Sequence, residues 1–136
     1  MTVLVVDAAN VVGSRPDGWW RDRAGAATRL LDRLAALPGH RLPGPDGDPV
    51  DVRSVVAVVE GAARGVGDPT DADLLDVVRA AGSGDDAVVA VAERLAAAGE
   101  EVLAVTADRG LRARLPARTA VAGPGWLLGV LDAAGA

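Results

Sequence analysis

The segment Thr2-Val3-Leu4-Val5-Val6-Asp7 decides the fold, because it is an apolar run that ends abruptly at a carboxylate. A continuous apolar run of this length is typical of a central strand in a parallel sheet, which is buried on both faces. A charge at the end of such a strand is costly to bury without a partner. We therefore predict a first strand over 2–6 and a functional role for Asp7.

Two further acidic motifs stand where other apolar segments give way to loops or helices. Asp85 and Asp86 follow Gly84 at the start of a predicted helix, and Asp108 follows Thr106 at the end of a predicted strand. Parallel strands place their carboxyl ends, and the loops after them, at one edge of the sheet. Carboxylates gathered there stay ionised together mainly when divalent cations neutralise them, so the pattern indicates metal-dependent phosphodiester chemistry.

Strands and helices are predicted to alternate along the rest of the chain. Predicted helices cover about 22–37, 85–98, 109–115 and 126–131, and further strands cover 52–59, 74–79, 102–106 and 119–122. Residues 8–21 and 37–49 are predicted loops, as is the glycine-containing stretch 60–69. The strand at 74–79 has an alternative, because Thr70 and Asp73 also fit a capping box that starts a helix. The alternation predicts an α/β fold with an open parallel sheet in three layers, forming a single domain over 1–136.

Composition excludes several classes of site. All 14 basic residues are arginine, so phosphate loops that need a lysine are excluded, and the lack of cysteine excludes thiol nucleophiles and thiolate-bound zinc. No leader-like segment or membrane-spanning run is found in the sequence, and the protein is expected to be soluble and cytoplasmic, with no membrane partner. The only histidine, His40, lies in a loop rich in Pro and Gly and is assigned no role.

Charge and aromatic residues are arranged around the acidic motifs. The net charge of −5 argues against nonspecific adhesion to nucleic acid, yet arginines flank the acids on both sides. Those expected to contact substrate phosphates are Arg15, Arg21, Arg109 and Arg112. Trp19, followed by Trp20, is either a hydrophobic lid or dimer contact or, beside Arg21 and Arg23, a stacking surface for an unpaired base.

The motifs at Asp7-x-x-Asn10, Asp85-Asp86 and Thr106-x-Asp108 resemble those of the NYN branch of the PIN-like nucleases, and the likeness covers nearly the whole chain. The resemblance implies a parallel sheet of order 3-2-1-4-5, an acid cluster that binds Mg²⁺ or Mn²⁺, and an endoribonuclease activity on RNA. It leaves open a homodimer and an inhibitory protein partner.

Position by position, the resemblance implies Asp7, Asp86 and Asp108 as the catalytic acids, with Asp85 as a further metal ligand and as the alternative to Asp86 for the second acid. Asn10 and Thr106 would orient the metal ligands or a water without binding the metal themselves. Glu60 is the obvious candidate for the additional acid that many relatives carry. The Gly13 to Arg23 loop is not part of the general pattern.

Two other functions fit parts of the sequence. A non-catalytic module would keep the fold and use the arginines and tryptophans to bind RNA or a protein. A small-molecule phosphohydrolase would use Asp7 as a covalent nucleophile, but Ala9 stands where haloacid dehalogenase-like enzymes have a second Asp, and no lysine is present to hold the phosphate.

Overall fold

The computed structural model describes residues 1–61 and 74–135 and has an α/β architecture. The strands are β1 (Thr2–Asp7), β2 (Arg41–Leu42), β3 (Val50–Val59), β4 (Leu75–Arg79), β5 (Glu101–Val105) and β6 (Ala120–Ala122). The helices are α1 (Ala8–Val12), α2 (Arg23–Leu34), α3 (Gly84–Ala97), α4 (Arg109–Arg114) and α5 (Pro124–Ala133), and a 3₁₀ turn covers Trp19–Arg21.

The sheet is open and mostly parallel, with β1 in its interior. β1 pairs in parallel with β3 on one side and with β5 on the other. β4 pairs with β3 and β6 pairs with β5, also in parallel. The hydrogen-bonded path runs β2-β3-β1-β5-β6, with β4 joined to β3 outside that path. The predicted order counted five strands and did not include β2, which pairs antiparallel with the first residues of β3.

Side chains of β1 alternate between two apolar clusters, one on each face of the sheet. Leu4 and Val6 belong to a cluster that includes residues of α1, α2 and α5. Val3 and Val5 belong to a second cluster with residues of α3 and α4. Helices therefore cover both faces, which explains why β1 is apolar at every position before Asp7.

Capping contacts place the ends of the two long helices. The Asp22 side chain accepts a hydrogen bond of 2.9 Å from the Gly25 backbone amide at the start of α2. Ser83 accepts one of 3.2 Å from the Asp85 backbone amide at the start of α3. Gly99 has a φ of +82° just after α3, in the left-handed region that glycine adopts without strain.

Two of the predicted loops contain regular structure. Residues 8–21 were expected to be a loop, but Ala8–Val12 forms α1, with Ala8 and Val11 buried against the sheet. Residues 37–49 were also expected to be a surface loop, but they include β2 and bury Leu37 and Leu42. Elements of five and two residues are too short to show a hydrophobic period, so tertiary packing decides them.

Most of the other predicted elements are confirmed. Residues 75–79 form a strand, β4, as favoured over the helix. The competing capping box at Thr70 and Asp73, and most of the predicted 60–69 loop, lie outside the described residues. The closing helix starts two residues earlier than predicted, because Pro124 occupies its first turn.

Among the helices of residues 1–61 and 74–135, none combines the length and the apolarity that crossing a bilayer requires.

The interior position of β1 predicts a large effect of shortening Leu4, which is fully buried. We expect Leu4→Ala to lower the free energy of unfolding by about 2–5 kcal/mol, since the substitution leaves a cavity between sheet and helices. Leu74→Ala is the matched control, because the Leu74 side chain is 52% exposed. Urea denaturation of both variants measures the difference, and equal stabilities would contradict the assignment of β1 to the core.

Candidate active site at the carboxyl edge of the sheet

Asp7 ends β1 and is buried, with 6% of the residue exposed. Its Oδ2 accepts a hydrogen bond of 3.1 Å from Oγ1 of Thr106, the fully buried residue that follows β5. Because β1 and β5 are parallel neighbours, their carboxyl ends meet and bring the two side chains together. Two predicted site residues from distant parts of the chain are therefore in contact.

Burial raises the pKa of Asp7 above its ordinary value. The Thr106 hydroxyl and the backbone amide of Asn10 lower that pKa, whereas the charges of Asp85 and Glu60 raise it further. Asp7 therefore lies where a negative charge is unfavourable and where other acids are near enough to interact with it.

Asp85, in the first turn of α3, interacts with the same acids. Burial raises its pKa, and the charges of Asp108, Glu60 and Asp86 raise it further, while Arg114 lowers it. We call Asp7, Glu60, Asp85 and Asp108 the acid cluster. Its members follow β1, β3 and β5 or begin α3, so the cluster lies at the carboxyl edge predicted from the sequence.

Glu60 follows β3 and is held by the start of α3. Its Oε2 accepts a hydrogen bond from the Gly84 backbone amide. A Cβ at Gly84 would lie 2.9 Å from the Glu60 carboxyl carbon, so a side chain there would require the carboxylate to move. A glycine at this position therefore lets the acid reach the backbone of the helix.

Thr106 connects two members of the acid cluster. Its hydroxyl donates to Asp7 and accepts a hydrogen bond of 3.2 Å from the Asp108 backbone amide. Asp108 caps α4, with Oδ1 accepting from the Leu111 backbone amide at 3.0 Å. Asp108 can cap α4 and also belong to the acid cluster, because the cap uses only one of its two carboxylate oxygens.

Asn10 lies in α1 and forms a hydrogen bond with the loop after β5. Its Oδ1 accepts a hydrogen bond of 2.8 Å from the Ala107 backbone amide. Asn10 therefore joins the residues after β1 to those after β5, from a helix that the sequence analysis had assigned to a loop.

Asp86, predicted as a catalytic acid, is close enough to the acid cluster for its charge to raise the pKa of Asp85. It is exposed and forms an ion pair of 2.6 Å with Arg114 of α4. Successive helical residues point about 100° apart, so Asp85 and Asp86 cannot face the same way. Ser83 as N-cap makes Asp86 the fourth residue of a capping-box pattern, and that signal in the sequence would have favoured Asp85 as the second acid.

The donor set fits a hard divalent cation in kind, because carboxylate oxygens are the ligands that Mg²⁺ and Mn²⁺ prefer. Mutual repulsion of the acids would also be relieved by a cation. Over residues 1–61 and 74–135, however, no three acidic or histidine side chains are grouped closely enough to hold an ion. Binding would therefore require small movements of the side chains, above all of Glu60 and Asp108, which now cap helices.

Two of the predicted substrate-binding arginines have structural partners. Arg112 donates from Nε and Nη2 to the Thr106 carbonyl oxygen, at 2.9 and 2.6 Å. Arg15 forms an ion pair of 2.8 Å with Asp132 of α5, which also pairs with Arg33. The exposed residues Arg21 and Arg109 remain the better candidates for contact with a phosphate.

A cavity of about 400 Å³, here called the Trp19 cavity, lies beside the acid cluster. It is bounded by α1, α2, the 3₁₀ turn and the end of β3, and its lining includes Ala8, Val12, Trp19, Arg23, Val59 and Glu60. A larger cavity of about 770 Å³, between the loop around β2 and α5, is lined by described residues that include no acid. Glu60 belongs to both the Trp19 cavity and the acid cluster, so this cavity adjoins the candidate site. A cavity of about 530 Å³, lined in part by Asn10, Arg15 and Ala107, adjoins the site from the other side of α1.

The chain resembles solved structures in fold. It covers 98% of its length in a superposition on Rae1 (YacP) from Bacillus subtilis, with a TM-score of 0.67, 16% sequence identity and 75% of that chain covered. The W164L mutant of the same protein gives a TM-score of 0.69, with 16% identity and 76% of its chain covered. No family model matches the chain, and no curated protein matches it by sequence. At this identity the likeness shows a shared fold.

Removing the Asp7 charge is expected to stabilise the metal-free protein. A raised pKa means that ionised Asp7 destabilises the fold, an effect absent below the ordinary Asp pKa and complete above the raised one. In EDTA at neutral pH, Asp7→Asn should melt at a higher temperature than the wild type, and the difference should shrink as the pH falls toward the ordinary Asp pKa. Asp86→Asn, which breaks an exposed ion pair, is the control and should show no gain. A lower melting temperature for Asp7→Asn would contradict this account of the site.

Arg112 is expected to support the fold where Arg109 does not. Arg112→Ala removes two hydrogen bonds to the Thr106 carbonyl and should lower the free energy of unfolding by about 1 kcal/mol. Arg109→Ala, in the same helix and exposed, should change it by less than about 0.5 kcal/mol. Chemical denaturation of the two variants checks the contrast, and an equal effect would refute a bracing role for Arg112.

Proposed function

We propose that this chain is a metal-dependent endoribonuclease of the NYN branch of the PIN-like fold, with its active site at the acid cluster. One observation carries the proposal: a buried carboxylate ends the central strand, where burial and then the charges of Asp85 and Glu60 raise its pKa. Such a concentration of unfavourable charge is typical of a functional site. The motif resemblance to PIN-like nucleases supports the reaction class, and the fold shared with the Rae1 structures supports the architecture.

The residues of the cluster divide into ligands and positioning groups. Asp7, Asp85 and Asp108 would hold Mg²⁺ or Mn²⁺, with Glu60 as a further acid beside them. A bound cation would lower the pKa of a water for in-line attack and neutralise the phosphate. Thr106 orients Asp7 through its hydroxyl and holds the Asp108 backbone, so these two acids keep a fixed relation to each other.

RNA would approach a cleft whose centre is acidic and whose border carries guanidinium groups. Arg21 and Arg109 are both exposed and would supply these groups. Cations at these positions would offset repulsion between the acids and the substrate backbone. Phosphate contact therefore depends on few arginines, in keeping with the net charge of −5.

A non-catalytic RNA- or protein-binding module is the second candidate. It is favoured by the capping contacts of Glu60 and Asp108 and by the lack of a three-ligand group over residues 1–61 and 74–135. In such a module the acids would be structural, and a divalent cation would not change their environment.

Metal titration combined with RNA cleavage tests the proposal. We expect calorimetry to detect Mn²⁺ binding that Asp7→Asn and Asp108→Asn abolish, together with Mn²⁺-dependent cleavage of a mixed RNA pool. The same variants should lose more activity than the roughly 10- to 100-fold typical of losing an outer-shell partner. Asp85→Asn should behave like them, whereas Asp86→Asn should retain activity.

The outcomes separate the candidates. RNA binding that is indifferent to Mn²⁺ and to Asp7→Asn would refute the nuclease and favour the module. Mn²⁺ binding without cleavage would refute the nuclease and would not favour the module. Loss of activity in Asp86→Asn, with retention in Asp85→Asn, would identify Asp86 as the second catalytic acid.

A further inference from the structure

We infer that the Trp19 cavity binds an unpaired base of the RNA, next to the phosphate held at the acid cluster. The inference rests on the proposed function, since the ligand is taken to belong to the same substrate. It adds a substrate class, RNA with an unpaired nucleotide at the cleavage site, and a residue that recognises it.

The Trp19 cavity adjoins the acid cluster. Ala8 follows Asp7 directly, and Glu60 both lines the cavity and acts on the pKa of Asp7 and Asp85. In a nucleotide only the sugar separates the base from the phosphate. A phosphate at the acids therefore leaves its base within reach of the cavity.

The walls suit a flat, weakly polar group. Ala8, Val12 and Val59 provide apolar surface, and Trp19 provides an aromatic wall. Every base has a face that can stack on an aromatic ring, which makes such contact independent of sequence. A volume of about 400 Å³ is within the range of small-molecule sites and accommodates a base.

Neighbouring groups hold the Trp19 ring in place. The Trp20 ring meets it edge-on, with centroids 6.0 Å apart and an interplanar angle of 87°. The Arg23 guanidinium carbon lies 5.6 Å from the Trp19 centroid. A ring held on several sides loses little freedom when a base stacks on it, which favours binding.

The charges that line the cavity favour an uncharged occupant. The Glu60 carboxylate and the Arg23 guanidinium both line it and are opposite in sign, so the cavity has no net charge that would attract a second phosphate or a carboxylate ligand. The amino and imino N–H groups of a base edge are instead hydrogen-bond donors that a carboxylate accepts. The base must also be unstacked from its neighbours to enter, which favours single-stranded RNA over a duplex.

Binding to two oligonucleotides tests this inference without relying on cleavage. The probes are a labelled single-stranded RNA and an abasic ribose-phosphate oligomer of the same length, measured by fluorescence anisotropy in EDTA. The wild type should bind the RNA more tightly than the abasic oligomer, and Trp19→Ala should reduce that preference by roughly 5- to 100-fold. Trp19→Phe should keep much of it. Trp20→Ala, at an exposed residue that packs on Trp19 without lining the cavity, should reduce the preference less than Trp19→Ala does, and Leu74→Ala, at an exposed residue outside the cavity, is the control and should keep it fully.

Three results would overturn the inference. The first is an unchanged preference in Trp19→Ala. The second is an equal loss of binding to RNA and to the abasic oligomer in Trp19→Ala, which would mean that Trp19 supports the fold. The third is equal binding of single-stranded and duplex RNA by the wild type. If Trp19-dependent binding is found but Mn²⁺ produces no cleavage, the nuclease proposal fails and base binding stands.

Discussion

The hydrogen bond from Thr106 to Asp7 is the contact on which the candidate site depends. It joins the carboxyl ends of β1 and β5 below the surface, where both residues are buried. A charge at the end of an apolar strand needs such a partner, and parallel pairing supplies one from the neighbouring strand. The same hydroxyl fixes the Asp108 backbone, and the Thr106 carbonyl fixes Arg112. The loop after β5 is therefore organised around one buried threonine.

Sequence reasoning succeeded where hydrophobic runs are long and failed where they are short. β1, β3 and β5 each contain a continuous run of apolar residues, which is typical of a buried strand, so the pattern of the sequence predicts their positions. α1 and β2 exist because Val11 and Leu42 are buried by residues far away in the chain. Such burial leaves no periodic signal in five or two residues, so the sequence pattern predicts loops at both places.

The acids were easier to predict than the arginines. Strand ends can be located in a sequence, and parallel ends share an edge, so the approach of Asp7 to Thr106 could be anticipated. The choice between Asp85 and Asp86 depends on which residue caps α3, a matter of one position. The partner of Arg15 is 117 residues away in α5, and no local pattern indicates that pairing.

Glu60 connects the candidate site to α3 through its hydrogen bond with the Gly84 backbone amide. The oxygen that would turn toward an incoming ion or base is the one that now holds the first amide of that helix, and Gly84 leaves no side chain between them. Binding an ion or a base and capping the first turn of α3 are thus alternative uses of one carboxylate. Hydrogen exchange at the Gly84 amide should accordingly report, from the protein side, whether anything has entered the cleft.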